Sequence, residues 1–294
     1  MRYGFGVDLG GTTVKIASFA ESGALRHKWE IPTATDNNGQ GILPDIASAV
    51  LGYLEKEKLA KSEILGIGIG VPGAVDETGF VRSCDNLGWR NVDVVGTLSA
   101  LTGLPVKTGN DANMAALGEC WKGSGCNNML LVTLGTGVGG GIIINGKPLV
   151  GKNGAAGEIG HLVMNRKETM VCGCGKKGCA EQYCSATGLV RMAKDYATAK
   201  DVFDAAKAGD EKAKAVLEQY YAYLAELIAN VCIVLNPEKV VIGGGVSKAG
   251  QPLLSGIARH FEKFIYHSSR DVEFALAGLG NDAGAYGAFK LLLD

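Results

Sequence analysis

Four side chains able to bind a metal lie close together near the middle of this sequence. The stretch from Cys172 to Cys179 reads C-G-C-G-K-K-G-C, and His161 precedes its first cysteine by eleven residues. Three thiolates and one imidazole fill the tetrahedral shell of Zn²⁺, and a zinc whose four positions are all taken by protein is structural. We therefore expect His161, Cys172, Cys174 and Cys179 to hold a structural zinc, rather than to be a chance cluster of reduced thiols. Cys184 is a possible substitute ligand, but we expect it in the next helix.

A glycine turn near the start of the chain has the residues to hold phosphate. Residues 8–15 read D-L-G-G-T-T-V-K. Glycines let backbone N–H groups point at a phosphate, the threonines add hydroxyl donors, and the aspartate can hold Mg²⁺ through its waters. The candidate ligands of phosphate and its Mg²⁺ are Asp8, Gly10, Gly11, Thr12, Thr13 and Lys15. The alternative is a plain β-hairpin in which Asp8 only caps the turn.

Two further glycine runs follow predicted buried strands. Residues 134–141 read L-G-T-G-V-G-G-G; they precede no predicted helix and lack the G-K-[ST] ending of a phosphate loop, so we expect a second hairpin turn. Two such turns suit a phosphate tail clamped between two lobes, and the candidate ligands here are Gly135, Thr136, Gly137 and Gly139. Gly244 and Gly245 offer a side-chain-free surface for adenine. Close packing of strand on helix is the alternative for that run.

One carboxylate stands where a predicted strand meets a predicted helix. Asp111 lies in the sequence N-D-A-N at 110–113, after a strand at 106–108. A sugar hydroxyl becomes an effective nucleophile when a carboxylate accepts its proton, so Asp111 is a candidate general base. The alternative is that Asp111 only caps the helix. The triplet N-D-A recurs at 281–283, where we expect a cap.

Two glutamates lie near the cysteine stretch. Glu158 and His161 are three residues apart, so one helical turn would place them on one face, and Glu181 lies two residues past Cys179. Carboxylates make charge-assisted hydrogen bonds to sugar hydroxyls. Either glutamate alone would be a solvated surface charge; their closeness to a zinc-bound loop favours sugar binding instead.

The predicted elements alternate in a way typical of mixed α/β proteins. Strands are predicted at 3–8, 13–20, 25–31, 64–71, 106–108, 130–135, 142–144 and 239–242, and helices at 39–58, within 186–208, at 211–235 and at 283–293. Both halves open with strand, glycine turn and strand, which indicates an internal duplication. We predict a smaller α/β lobe of residues 1–109, joined by the final helix at 282–294, and a larger α/β lobe of residues 110–281 with the zinc loop.

Composition excludes several classes of function. The chain has 294 residues with 29 basic and 30 acidic side chains, for a net charge of -1, so it offers no electrostatic surface for nucleic acid or an anionic membrane. The first strand begins at once, without a secretory signal, and no apolar stretch is long enough to cross a bilayer. We expect a cytoplasmic protein whose eight cysteines are reduced.

The whole set of segments resembles the ROK family (repressors, open reading frames, kinases) and, within it, the bacterial glucokinases. The matching segments are D-L-G-G-T at 8–12, G-V-P-G at 70–73, N-L-G-W at 86–89, N-D-A-N at 110–113, L-G-T-G-V-G-G-G at 134–141, G-E-I-G-H at 157–161, the cysteine stretch at 172–181, G-G-G at 243–245 and G-N-D-A-G-A at 280–285. They occur in the family order, and the cysteine stretch is the most specific.

The resemblance implies a two-lobed actin-like (ribonuclease-H-like) ATPase fold and ATP-dependent phosphorylation of a hexose. By the family pattern, Asp111 is the base, and the γ-phosphoryl group of ATP passes in line to a primary hydroxyl, O6 of glucose. The residues implied to hold the sugar are Asn86, Asn110, Glu158, His161 and Glu181. His161 would bind zinc through one ring nitrogen and touch sugar through the other. Family members are often homodimers or homotetramers.

Alternatives remain within and outside this class. The acceptor could instead be N-acetylmannosamine, N-acetylglucosamine or another hexose, because such kinases share the same motifs. A sugar-sensing repressor would carry a helix-turn-helix before the first glycine turn. Only seven residues precede Asp8, which disfavours that class. A catalytically silent sugar-binding relative is disfavoured by Asp111.

Overall fold

The computed structural model describes residues 2–76 and 78–293 and divides into two compact units. The first unit comprises residues 1–125, 145–156 and 281–294, and the second comprises residues 126–144 and 157–280. Each unit contains a β-sheet with helices packed on it, which agrees with the predicted α/β class. Among the described residues, every helix is too short or too polar to span a bilayer.

The sheet of the first unit has the strand order β3-β2-β1-β4-β7. Its antiparallel part is β1 (Tyr3–Leu9), β2 (Thr13–Ala20) and β3 (Leu25–Pro32), and β4 (Ile64–Val71) and β7 (Val106–Asn110) continue it in parallel. The other elements of this unit are α1 (Asp36–Gly39), α2 (Ile42–Glu57), the hairpin β5 (Phe80–Cys84) and β6 (Trp89–Asp93), α3 (Val94–Thr102), α4 (Asp111–Gly118) with a π-helical extension (Glu119–Ser124), β10 (Lys147–Pro148) and α10 (Ala283–Lys290).

Helix α10 packs directly on β1 and β4. A Cβ on Gly6 of β1 would lie 2.0 Å from the Ala285 carbonyl oxygen, and one on Gly68 of β4 would lie 1.7 Å from that of Ala288. Any side chain at these two positions would push the helix away, because real Cβ atoms do not approach a carbonyl so closely. The two glycines therefore allow α10 to pack closely on β1 and β4.

The second unit repeats the same strand plan. Strands β8 (Met129–Leu134) and β9 (Val138–Ile144) form an antiparallel pair, and β11 (Lys239–Gly243) and β12 (Glu273–Leu276) continue the sheet in parallel from β8. The shared pattern agrees with the predicted duplication. The helices are α5 (Glu181–Cys184), α6 (Ala186–Ala193), α7 (Ala199–Lys207), α8 (Glu211–Leu235) and α9 (Gln251–Phe261).

The first unit extends to residue 125, whereas the predicted lobe boundary lies between residues 109 and 110. Helix α4 and its extension stay with the first unit because α4 packs closely on α10: a Cβ on Gly287 would lie 1.8 Å from the Met114 carbonyl oxygen. Residues 145–156 also belong to the first unit. Sequence spacing does not reveal this contact, because it joins helices far apart in the chain.

Most predicted elements fall within a few residues of those observed. The helix at 211–235 has the predicted bounds, and the segment 186–208 forms two helices. The glycine run at 134–141 differs, because β9 begins at Val138 and only Gly135 to Gly137 form the turn. The final helix is shorter than predicted, ending at Lys290.

Candidate active site

The first glycine turn is closed by its own backbone. Gly10 N–H donates to the Thr13 carbonyl at 3.0 Å, and the Thr33 hydroxyl donates to the Gly10 carbonyl at 2.7 Å. These bonds hold the turn while Gly11 and Thr12 remain exposed. The turn can therefore present free N–H and hydroxyl donors to an anion. Thr33 belongs to no recognisable motif, so the sequence alone does not indicate its role in the turn.

Asp8 is half-buried at the end of β1 and faces two neighbours. Lys15 Nζ lies 3.5 Å from Asp8 Oδ2 and donates to the Asn281 carbonyl at 3.3 Å. Burial raises the pKa of Asp8, and the Lys15 ammonium only partly offsets this effect. Beneath the carboxylate lies Gly284 of α10, where a Cβ would be 2.7 Å from Asp8 Cγ. Gly284 therefore provides the space that Asp8 occupies.

Asn110, and not Asp111, caps helix α4. Asn110 has extended backbone angles (φ −63°, ψ 143°), and its Oδ1 accepts the Asn113 N–H at 3.1 Å. Asp111 is the first residue of the helix, where its Oδ1 accepts the Ala112 N–H at 2.8 Å. A carboxylate at this end of a helix is stabilised by the helix dipole. The simple capping explanation for Asp111 is therefore wrong, since that role belongs to its neighbour.

Several predicted residues of the first unit lie around Asp111. The Asn110 amide donates to the Gly73 carbonyl at 2.9 Å, and a Cβ on Gly73 would lie 3.6 Å from the Cys84 side chain. Burial raises the pKa of the Cys84 thiol, and the nearby Asp111 carboxylate adds to this effect. Asn86 follows Cys84 in a short 3-10 turn, and a Cβ on Gly11 would lie 4.0 Å from its side chain. The first unit thus brings the base candidate, Asn86 and the first glycine turn into one neighbourhood.

We predicted a helix cap at the second N-D-A triplet, but the Asp282 side chain does not cap α10. Asp282 occupies the N-cap position of α10, but its backbone is helical (φ −95°, ψ −11°), and a capping side chain needs extended angles to reach the helix N–H groups. Its carboxylate instead accepts from Lys28 Nζ at 2.8 and 3.1 Å.

The second glycine turn is tight and adjoins Glu181. Gly135 N–H donates to the Gly137 carbonyl at 3.1 Å, and Thr136 is exposed at the tip. A Cβ on Gly137 would lie 2.8 Å from Glu181 Oε2. Gly139 lies within β9 opposite Thr133, where a Cβ would be 2.5 Å from the hydroxyl oxygen, so strand packing explains this glycine.

The two glycines after β11 have different surroundings. Gly244 has φ +82°, and a Cβ there would lie 2.5 Å from the Leu134 carbonyl oxygen, so this glycine is needed for close packing beside the second turn. Apart from its immediate neighbours in the chain, no described residue comes within 4 Å of the Cβ position of Gly245. Close packing and an open, side-chain-free surface therefore both hold, one at each residue.

The predicted metal ligands converge within the second unit. His161 Nδ1 and the sulfur atoms of Cys172, Cys174 and Cys179 all lie within 4.8 Å of one another. Cys174 Sγ is 3.5 Å from each of the other two sulfurs, and Cys172 Sγ is 3.8 Å from His161 Nδ1. Sulfurs bound tetrahedrally to zinc at about 2.3 Å would lie about 3.8 Å apart, so this group fits the ion. Cys184 is fully buried at the end of α5, outside the group, as expected.

Of the candidate sugar ligands of the second unit, His161 belongs to this cluster and Glu181 contacts it. Glu158 is exposed, immediately before the 3-10 turn Ile159–His161, and the His161 N–H donates to its carbonyl at 3.1 Å. Glu181 Oε1 lies 2.8 Å from Cys172 Sγ and 3.8 Å from His161 Nδ1. Because Nδ1 of His161 faces the cysteines, Nε2 is the ring nitrogen left for another partner.

The fold and these two sets of residues define a class: a two-unit α/β protein with paired glycine turns and a carboxylate at a helix start, the actin-like ATPase class. The ROK family model matches residues 4–294, and the chain belongs to the ROK family.

Similar proteins include kinases for more than one sugar. A glucokinase of Halalkalibacterium halodurans is 47% identical, with 97% of this chain and 93% of the relative aligned. An N-acetyl-D-glucosamine kinase of Escherichia coli is 31% identical over 100% of this chain and 99% of the relative. The crystal structure of a ROK family glucokinase from Streptomyces griseus, in complex with glucose and AMPPNP, is 31% identical, with a TM-score of 0.78 and 98% of each chain covered.

Proposed function

We propose that this chain is an ATP-dependent hexose kinase and that glucose is its acceptor. The observation that carries the proposal is the 47% identity to a glucokinase over nearly the whole of both chains. A ROK structure with glucose and a non-hydrolysable ATP analogue supports the same substrate pair. The N-acetyl-D-glucosamine kinase relatives make an N-acetylated hexose the second candidate.

In this proposal Asp111 is the general base. Its carboxylate accepts the proton of the hexose primary hydroxyl while the hydroxyl oxygen forms a bond to the γ-phosphorus of ATP. The bond from that phosphorus to the bridging oxygen breaks, and ADP leaves with the electron pair. The Asn110 cap orients the start of α4, and therefore Asp111 as well.

The remaining site residues bind the substrates. Asn86, Asn110, Glu158, His161 and Glu181 would bond the sugar hydroxyls. Asn110 uses one amide hydrogen on Gly73 and one lone pair on Asn113, which leaves one of each for the sugar. The ATP phosphates would bind to Gly10, Gly11, Thr12, Thr13, Lys15, Gly135, Thr136 and Gly137, with Gly139 packed on Thr133 next to the second turn. Adenine would lie on the open surface at Gly245, beside the closely packed Gly244.

Two ions complete the proposal. Asp8 would hold Mg²⁺ through its waters, and the ion would supply charge neutralisation on the phosphates. His161, Cys172, Cys174 and Cys179 would hold a structural Zn²⁺ that fixes their loop. Burial and the Glu181 carboxylate raise the pKa of Cys172 to about 12, so its thiol needs a nearby cation to ionise at neutral pH.

A coupled assay of ADP release over a panel of hexoses tests the acceptor. We expect glucose to give a higher kcat/KM than N-acetylglucosamine or N-acetylmannosamine by at least about tenfold, since a single contact changes such ratios by this amount. Equal efficiency on an N-acetylated sugar contradicts glucose as the acceptor. Size-exclusion chromatography with light scattering tests the dimer or tetramer that the family resemblance implies.

The variant Asp111→Asn tests the base. Asparagine keeps the shape and accepts no proton, so kcat should fall by about 10²–10⁴-fold. Glucose affinity, measured by calorimetry, should stay within a few-fold of the original protein. A variant with near-normal kcat rules out Asp111 as the base.

A further inference from the structure

The side chain of Gln182 joins both ends of the cysteine loop. Gln182 follows Glu181 in α5 and is buried. Its Oε1 accepts the Cys179 N–H at 3.0 Å, and its Nε2 donates to the Met170 carbonyl at 3.1 Å. One amide group therefore ties the chain just before Cys172 to the chain at Cys179, and ties both to the helix that carries Glu181.

A second group of hydrogen bonds, centred on the Glu168 carboxylate, holds the segment that leads into the cysteine loop. One carboxylate oxygen accepts the N–H groups of Thr169 and Met170 at 2.9 and 3.0 Å. The other accepts the Tyr183 hydroxyl at 2.6 Å and Arg191 NH1 at 2.8 Å. These donors, led by Tyr183, lower the pKa of Glu168 to about 2, so the carboxylate is charged at neutral pH.

Arg191 connects the two groups. Its NH2 donates to the Gln182 carbonyl at 2.9 Å, and its guanidinium lies 5.0 Å above the Tyr183 ring. Glu168, Gln182, Tyr183 and Arg191 thus form one network of hydrogen bonds, which we call the α5 brace. Charge-assisted bonds in such a network are stronger than isolated neutral ones.

The α5 brace and the second glycine turn hold the same short segment. The Ala186 N–H, two residues after α5, donates to the Gly135 carbonyl at 2.8 Å. Glu181 Oε2 also lies against Gly137. The segment 181–186 is therefore fixed on one side to the turn and on the other to the cysteine loop. Every one of these bonds joins protein groups, so none of them requires a metal.

We propose that Gln182 and Glu168 are positioning residues that place Glu181 for the hexose whether or not zinc is bound. The proposal rests on the function proposed above, in which Glu181 binds a sugar hydroxyl. Bound zinc would order the tip of the loop, between Cys172 and Cys179, while the α5 brace holds the two ends of the loop. Hexose affinity should therefore depend more on the brace than on the metal.

Calorimetric titration of glucose into metal-free protein tests this inference. The full chain is stripped with a chelator, and its zinc content is checked by mass spectrometry. Metal-free wild-type protein should bind glucose within about threefold of the zinc-loaded protein. Metal-free Gln182→Met, which keeps the volume and removes both bonds, should bind about tenfold more weakly than metal-free wild type, since two buried polar groups lose their partners.

The same substitution elsewhere provides a matched control. Gln251 lies at the start of α9, where its side chain donates to the Ser255 hydroxyl within the described part of the chain, and Gln251→Met should leave glucose binding unchanged. The Kd of an ATP analogue should stay within about twofold in Gln182→Met, because the backbone of the second turn is held by β8 and β9. The inference is wrong if zinc removal makes wild type bind glucose as weakly as metal-free Gln182→Met. It is also wrong if metal-free Gln182→Met binds glucose as tightly as metal-free wild type.

Two more variants separate the possible failures. If Glu181→Gln binds glucose normally, the proposed sugar site itself is wrong. If Glu181→Gln binds weakly while Gln182→Met binds normally, only the positioning role is lost. Should Gln182→Met fail to fold, Tyr183→Phe provides the test. It keeps the ring, removes the hydroxyl's bonds to Glu168 and Asn165, and should weaken glucose binding about threefold. Unchanged binding in Tyr183→Phe would then refute the role of the brace.

Discussion

The substitution Gly284→Ala should displace the Asp8 carboxylate while leaving Asp8 itself unchanged. Gly284 lies in the first turn of α10, and the Cβ of an alanine there would be 2.7 Å from Asp8 Cγ and 2.9 Å from Asp8 Oδ1. Nonbonded carbon atoms rest about 3.5–4.0 Å apart, so the carboxylate or the helix must move by about 1 Å. Overpacking of this kind costs about 1–3 kcal/mol, more than the roughly 1 kcal/mol that alanine gains over glycine in a helix.

The displacement falls on a group that we propose holds Mg²⁺. A misplacement of about 1 Å can lower a rate by about 10²-fold, so kcat/KM for MgATP in Gly284→Ala should fall by about 10–100-fold. The Mg²⁺ concentration for half-maximal rate should rise, while glucose affinity, measured by calorimetry, stays near normal. Kinetic titrations with Mg²⁺ and ATP, together with thermal unfolding, measure these effects.

Gly52 provides the matched control. It lies in the middle of α2, and apart from its own helix no described part of the chain comes within 4 Å of its Cβ position. Gly52→Ala should therefore raise the free energy of unfolding by about 0.5–1 kcal/mol and leave the kinetics unchanged. If Gly284→Ala behaved in the same way, stabilised and with normal Mg²⁺ dependence, the contact with Asp8 would have no functional meaning.

Three further outcomes are expected. Glu168→Gln should be less stable than wild type above pH 4.5, and the difference should vanish as the pH falls towards 2. The pKa of Glu168 is about 2 in the folded protein against a usual 4.5, so its contribution to stability is full above pH 4.5 and is lost progressively between pH 4.5 and about 2. Acid unfolding followed by circular dichroism checks this. Gly68→Ala should destabilise the first unit by about 3 kcal/mol or more, because its methyl would overlap the backbone of α10, and a normal melting temperature would contradict that packing. Cys179→Ser should reduce the zinc content from about one per chain to a small fraction, and unchanged metal content would remove Cys179 from the site.

Local patterns were sufficient to predict the features that depend on near neighbours in the chain. The four metal ligands converge because Cys172, Cys174 and Cys179 fall within one short loop and the His161 turn lies beside it. The bounds of α8 follow from an uninterrupted helical stretch between Asp210 and Asn236, which cap its two ends. In both cases the physical cause lies within a few residues, so composition and spacing report it.

Features that depend on contacts between distant parts of the chain could not be predicted from the sequence. The unit boundary after residue 125 follows from the contact of α4 with α10, between helices about 170 positions apart, and no spacing records it. Gly284 and Gln182 likewise have no motif of their own, because their roles arise from a neighbour in space: Asp8 for one and the loop ends for the other.

The two N-D-A triplets show why the same letters have different roles. At 110–113 the asparagine adopts extended backbone angles, caps the helix and leaves the aspartate inside the first turn, where the helix dipole favours its charge. At 281–283 the backbone is already helical at Asp282, so that carboxylate turns outward to Lys28. The decisive difference is the backbone angle of the preceding strand end, which β7 imposes on Asn110 through its pairing with Val71. In the function proposed above, the base Asp111 therefore owes its position at the start of α4 to a neighbour that is held in the sheet.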